Sequence, residues 1–246
     1  MKLNCDLGED FGAWKMPLDS QIMTVIDQAN IACGFHAGDP SAMKEALSLA
    51  AEHSVAVGAH PSYPDLQGFG RRSMKMAKQE LTACIQYQVS ALQGLADIIG
   101  THVSYVKPHG ALYNDMMQDT GILETVMESV AAMSSETHSL VVQAHPDSEK
   151  VRTLAKQYGI SLLFEAFSDR RYTDEGYLQS RAIAGAVLSK EQAFEQCERL
   201  INEGVVITTS GTPLTLNADT LCVHGDTAGA VDIALLIKAL LNKTPL

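Results

Sequence analysis

The chain is short of positive charge, and this excludes more functions than any single motif suggests. Eighteen Lys and Arg stand against 29 Asp and Glu, a formal net charge of −11. Nucleic-acid binding needs a basic face to neutralise phosphates, and an anionic membrane surface repels such a chain. Long apolar runs are also missing. The most apolar stretch, Val231 to Leu241, falls short of the roughly 20 residues that span a bilayer, and it carries Asp232 and Lys238. The opening MKLNCDLGED has charges where a secretory leader needs an unbroken apolar run, so no targeting segment is expected. Five scattered cysteines without a CxxC pair suit free thiols in a reducing cytoplasm better than a disulfide framework. Neither GxxxxGK[ST] nor GxGxxG occurs, so any nucleotide used is not held by a P-loop of this chain. No low-complexity linker interrupts the sequence, which predicts one domain over residues 1–246.

What is present is a strand–loop–helix rhythm. Strands are expected at Lys2–Leu7, Asn30–His36, Val55–His60, Val103–His109, Leu140–His145, Ser161–Phe167 and Thr220–His224. Helical patterns lie between them at Ser41–His53, Gln79–Ile99, Ile122–Met133, Glu149–Tyr158, Gln192–Asn202 and Thr227–Leu241. Asp39 followed by Pro40 reads as a helix start. Alternating units of this size imply a parallel sheet. In the first strand Asn4, Asp6 and Gly8 oppose Leu3, Cys5 and Leu7; in the third, Ala56, Gly58 and His60 oppose Val55, Val57 and Ala59. One face is small or polar and the other apolar. An open doubly wound sheet would be apolar on both faces. A closed barrel fits better, so the expected fold is a single-domain, irregular seven-stranded (β/α) barrel. Two polar segments, Pro61–Met74 and Ser168–Arg181, read as long loops over one end, and Thr208–Asn217 as a small hairpin.

The chemistry-bearing residues gather where strands end: NCDLGE, NIACGFHAGD, AVGAHP, YVKPHG and LCVHGD. Active sites of parallel barrels lie at those C-terminal strand ends. This predicts one pocket lined by Asp6, Glu9, His36, His60, Lys107, His109 and, less directly, His224. A carboxylate at Asp6 can serve as base, metal ligand or turn cap. Three imidazoles from three strand ends can bind a Zn²⁺-like ion or shuttle protons, although no two have the HxH or HExxH spacing that marks a metal motif. Lys107 is either a cation for substrate or the partner of an internal ion pair with Asp6 or Glu165. Arg71, Arg72, Arg170 and Arg171 can clamp a carboxylate or phosphate, or one of each pair can tether its own loop.

The segments LNCDLGE, NIACGFHAGDP, GAHPSYPDLQGFGRR, VKPHGALYN and EAFSDRRYTDEGYL resemble the LamB/YcsF family, the A subunits of 5-oxoprolinase, nearly end to end. The resemblance implies a seven-stranded barrel like those of glycoside hydrolases and deacetylases. It also implies ATP-dependent opening of 5-oxo-L-proline (pyroglutamate) to L-glutamate, with ATP as co-substrate and partner subunits B and C, in the bacterial cytoplasm. For that reaction Asp6, Lys107 and His109 are the expected catalytic groups. Glu9, His36, His60 and the four arginines are the expected substrate-binding groups, with a divalent metal left open. Two other readings compete: a self-sufficient metal-dependent deacetylase or amidohydrolase, with Asp6 and two histidines on Zn²⁺, and a non-catalytic lactam-binding subunit.

Overall fold

The computed structural model describes residues 1–15, 19–133, 139–224 and 230–243. Seven parallel strands close into a barrel in the order β1 (Lys2–Leu7), β2 (Gln28–Ala32), β3 (Ala56–His60), β4 (Val103–Val106), β5 (Ser139–Gln143), β6 (Ser161–Phe167) and β9 (Thr220–His224), which returns to β1. Between β6 and β9 the chain makes an antiparallel hairpin of β7 (Val205–Ile207) and β8 (Pro213–Thr215). The helices α1 (Asp19–Met23), α2 (Pro40–Glu52), α3 (Lys78–Ile99), α4 (Gly110–Gln118), α5 (Thr120–Ala131), α6 (Glu149–Tyr158), α7 (Lys190–Glu203) and α8 (Ala230–Lys243) connect and cover the strands.

The alternation seen in the sequence is the wall of this barrel. Leu3, Cys5 and Leu7 of β1, with Ala29 and Ile31 of β2 and Val57 and Ala59 of β3, belong to the apolar layer between barrel and helices. On α3, Leu81, Ile85, Val89, Leu92 and Ala96 recur at helical spacing and are buried against that layer. Starts and stops follow local chemistry. Asp39 accepts hydrogen bonds from the Ser41 and Ala42 amides ahead of Pro40, and Gly100 ends α3 in the left-handed conformation. Inside the barrel, Gly58 leaves room for a neighbour: a Cβ there would lie 2.1 Å from the Tyr105 ring.

Several expectations about the elements need correction. The second strand begins at Gln28 and stops at Ala32, so His36 stands on a loop rather than at a strand end. Gly34 and Gly38, at φ of +96° and +85°, turn the chain there. The fourth strand ends at Val106, before Pro108, whose missing N–H cannot extend a ladder. The helix α4, begun without a side-chain cap, had no clear sequence signal. The two long loops lie where expected, while the hairpin is formed by residues 205–215 rather than 208–217. His224 closes β9 in register with Asp6, but its side chain and residues 225–229 lie outside the described residues.

Candidate active site

The polar interior has two levels. The lower one is built from amides and hydroxyls. Asn4 Nδ2 donates to Thr220 Oγ1 at 2.8 Å, and that hydroxyl donates to Gln28 Oε1 at 2.8 Å. Asn30 Nδ2 donates to both Asn4 Oδ1 and Asp6 Oδ1 at 2.8 Å, while Tyr105 OH donates to Asn30 Oδ1 at 2.8 Å. Residues 4 and 6 of one strand and residue 30 of its neighbour share the inward face, so this ladder fixes the Asp6 carboxylate from below.

The upper level is ionic. Lys107 is 3% exposed; its Nζ lies 2.8 Å from Asp6 Oδ1, 2.9 Å from Glu165 Oε1 and 3.2 Å from Cys222 Sγ. Burial works against the ammonium, but Asp6, Cys222 and Glu165 together outweigh it and hold the Lys107 pKa well above the usual lysine value. The Cys222 thiol is pushed well up by burial. Lys107 is thus both a buried cation at the pocket and the centre of an internal ion pair. Of the two roles weighed from sequence, the internal ion pair is the one present, and it engages both Asp6 and Glu165.

Beside this pair the imidazoles meet. His60 Nδ1 donates to the Lys107 carbonyl at 2.6 Å and Nε2 faces Asp6 Oδ2 at 3.3 Å. His109 Nε2 donates to the Phe69 carbonyl at 2.9 Å, and its Nδ1 lies 2.9 Å from His60 Nε2. His36 stacks on His109, ring centres 3.7 Å apart and planes 4° apart, with Nε2 3.3 Å from Glu9 Oε1. Burial lowers both His36 and His109 well below the usual imidazole value, with neighbouring imidazoles adding to the shift. Gly70, at φ +64°, lets the loop from Pro61 to Met74 press onto this cluster: a Cβ there would lie 2.7 Å from His109 Cδ2 and 2.9 Å from His36 Cβ.

Above these groups opens a cavity of about 420 Å³, of the size that holds a small metabolite. Asp6, Glu9, His60, Lys107 and His109 line it, and His36 stands behind them. The arginine pairs divide. Arg71 and Arg170 line the cavity, while Arg72 and Arg171 do not. Arg72 Nε donates to Asp65 Oδ1 at 3.0 Å, and Arg171 Nε to the Gly185 carbonyl at 3.3 Å, so each is engaged in its own loop. Arg170 is buried; Nη2 donates to the Gln179 carbonyl at 2.6 Å and Nε has no partner. Burial, with Arg181 nearby, brings its pKa down to about 10.

Sequence reading passed over Tyr105, Tyr113 and Arg181. Tyr105 precedes Lys107 by two residues and so shares its face, a signal that was available. Tyr113 and Arg181 line the cavity from α4 and from the loop after β6, where no periodicity marks them. His145 is peripheral: Nε2 donates to the Glu175 carbonyl at 2.8 Å and Nδ1 accepts from the Asp147 amide at 3.0 Å.

The LamB/YcsF family profile matches residues 1–246. Among its relatives, the chain is 48% identical over 239 residues to the 5-oxoprolinase A subunit of Vibrio campbellii, covering 97% of this chain and 94% of that one. It is 49% identical over 237 residues to the 5-oxoprolinase A subunit of Chromohalobacter salexigens, covering 96% and 94%. The crystal structure of a lactam utilization protein from Thermus thermophilus superposes with a TM-score of 0.88 at 36% identity, over 99% of this chain and 96% of that one.

Proposed function

Because this chain belongs to the LamB/YcsF family, we propose that it is the barrel subunit of a cytoplasmic 5-oxoprolinase, opening 5-oxo-L-proline to L-glutamate at the expense of ATP together with subunits B and C. The observation that carries this reading is the buried Lys107 ion-paired to Asp6 and Glu165 at the base of a cavity rimmed by Arg71 and Arg170. A fixed cation below and guanidinium groups above suit a small anion bearing a polarisable carbonyl.

A five-membered lactam resists hydrolysis because amide resonance blunts the carbonyl carbon and the amine is a poor leaving group. In the proposed reaction Arg71 and Arg170, which line the cavity, hold the substrate carboxylate. The amide oxygen takes the γ-phosphoryl group of ATP, whose bond to ADP breaks, and the ring carbon becomes imidate-like. With no P-loop in the chain, the rest of the nucleotide is left to the partner subunits. Lys107 offsets negative charge developing at the amide oxygen and phosphoryl group. Water adds to the ring carbon, its proton passing to Asp6 or to the neutral His109. Collapse breaks the C–N bond as the amine regains a proton. This leaves an acyl phosphate, which a second water hydrolyses to glutamate and phosphate. His60, pinned to the Lys107 carbonyl, and Glu9 with His36 keep these groups in place.

Glutamate formation from 5-oxoproline and ATP, measured for this chain alone and with subunits B and C, tests the reading. Activity only in the full mixture, abolished by Lys107→Ala and by His109→Ala, is the expected result. Full activity in both variants would move the chemistry to the partners.

A further inference from the structure

The imidazole cluster makes a demand that hydrogen bonding among these residues does not meet. A carbonyl oxygen only accepts. His60 Nδ1, at the Lys107 carbonyl, therefore carries a proton, and so does His109 Nε2, at the Phe69 carbonyl. In neutral rings the two remaining nitrogens, His60 Nε2 and His109 Nδ1, are bare lone pairs, and they face each other at 2.9 Å. The two carboxylates nearest these nitrogens are acceptors as well. Glu9 Oε1 lies 3.6 Å from His109 Nδ1, and Asp6 Oδ2 lies 3.3 Å from His60 Nε2. His36 adds a third imidazole, with neither nitrogen tied to a backbone carbonyl and Nδ1 without a partner. Lone pairs converging in a buried place call for a cation among them, either a metal ion or an additional proton.

We propose that Glu9, His36, His60 and His109 form a binding site for one divalent transition-metal ion of the Zn²⁺ type. One donor atom from each lies within 4.8 Å of the others. Ligands on a tetrahedral ion with bonds of about 2.0 Å sit about 3.3 Å apart, so small side-chain shifts close the shell. The carbonyls behind His60 and His109 are the kind of acceptor that orients imidazole ligands on metals and fixes their tautomers. Three nitrogens and one carboxylate favour Zn²⁺, Co²⁺ or Fe²⁺ over Mg²⁺ or Ca²⁺, which prefer oxygen. A proton on His60 Nε2 would relieve its contacts with His109 and Asp6 but leave Glu9 opposite the His109 lone pair. Glu9, His60 and His109 line the cavity, so the ion would be within reach of a bound molecule. With His109 Nδ1 engaged in this way, Asp6 is the remaining proton acceptor of the proposed reaction. The metal site itself does not depend on that reaction.

The test is metal binding by the full chain. Protein stripped with a chelator is titrated with ZnCl₂ by calorimetry, and the CoCl₂ form is examined by visible absorption. One equivalent is expected, with the strong d–d bands of a four- or five-coordinate ion. His36→Ala and Glu9→Gln should each weaken binding at least about tenfold while leaving the circular dichroism of the protein unchanged. Absence of stoichiometric uptake, with nitrogen NMR showing both His60 ring nitrogens protonated, would assign the cation as a proton and overturn the proposal. Uptake that neither variant affects would also overturn it, because the ion would then sit elsewhere. Because the readout is binding, its failure is distinguishable from failure of the lactam reaction.

Discussion

The two levels of the barrel interior solve the same problem in opposite ways. Both bury polar side chains, the lower on inward strand positions and the upper largely on the loops that follow the strands. Below, Asn4, Gln28, Asn30, Tyr105 and Thr220 are neutral, and their donors find acceptors at about 2.8 Å. Above, Lys107 faces two carboxylates and three imidazoles converge on Glu9, with lone pairs opposed. A satisfied network of neutral groups stiffens a fold and needs nothing more. A layer with unbalanced charge and opposed acceptors is poised to receive something: substrate, proton or ion. The lower level is therefore framework, and under the proposed reaction the upper level carries the chemistry.

The contrast breaks most decisively at Lys107. Lys107→Met leaves Asp6 and Glu165 buried without their cation. Activity of the complex should fall by roughly a hundredfold or more, and urea unfolding should show a loss of about 3–5 kcal/mol. Adding Glu165→Gln should restore part of the stability and none of the activity; recovery of both would make the upper level framework too. Next in size, Arg170→Ala should raise the KM for 5-oxoproline about tenfold or more by removing a charged hydrogen bond, whereas Arg171→Ala should leave it near the wild-type value. Equal effects would erase the division within the arginine pairs. In the lower level, Gly58→Ala pushes a methyl into the Tyr105 ring. It should cost about 1–3 kcal/mol in thermal or chemical unfolding, with specific activity of the folded protein changed far less than by Lys107→Met.

The smallest effect lies outside both levels. Hydrogen bonding to Arg72 is the main cause holding the Asp65 carboxyl below its usual range. A carboxyl whose folded pKa is depressed contributes stability above its unfolded value of about 3.9 and loses it as pH falls through the folded one. Arg72→Ala should therefore lower Tm slightly at pH 7, and the difference from wild type should vanish as the pH drops below about 4. A difference that persists in acid would show that Arg72 acts by packing instead.

Much of this arrangement was legible in the sequence because a strand carries its own code. The parity of Asn4 and Asp6, of Gly58 and His60, and of Lys107 is enough to place those residues inside a barrel, and an ion pair of Lys107 with Asp6 or Glu165 was one of its two readings. His36 was identified with the site on a false premise: alternation through Asn30, Ala32 and Gly34 suggested an extended strand, but two glycines at positive φ fold that stretch into a loop. The division of Arg71 from Arg72, and of Arg170 from Arg171, was offered as an alternative but not assigned, because loop residues have no periodicity and their directions depend on distant partners such as Asp65 and Gly185. Arg181 was missed for the same reason, and Tyr113 because α4 begins without a side-chain cap to announce it. The opposed lone pairs could not be read at all, since they depend on which carbonyl each ring nitrogen meets.

The Tyr105 ring over Gly58 bears on traffic through the site. Together with the amide ladder it stoppers the lower end of the barrel, where Asn4, Gln28 and Asn30 are all buried. Among the described residues this leaves the cavity at the other end as the way into the barrel. Under the proposed reaction glutamate must leave by the opening through which the lactam arrived, so it should inhibit competitively against 5-oxoproline. Any partner that covered that opening would govern departure as well as arrival, and release rather than bond breaking would become the step it could meter.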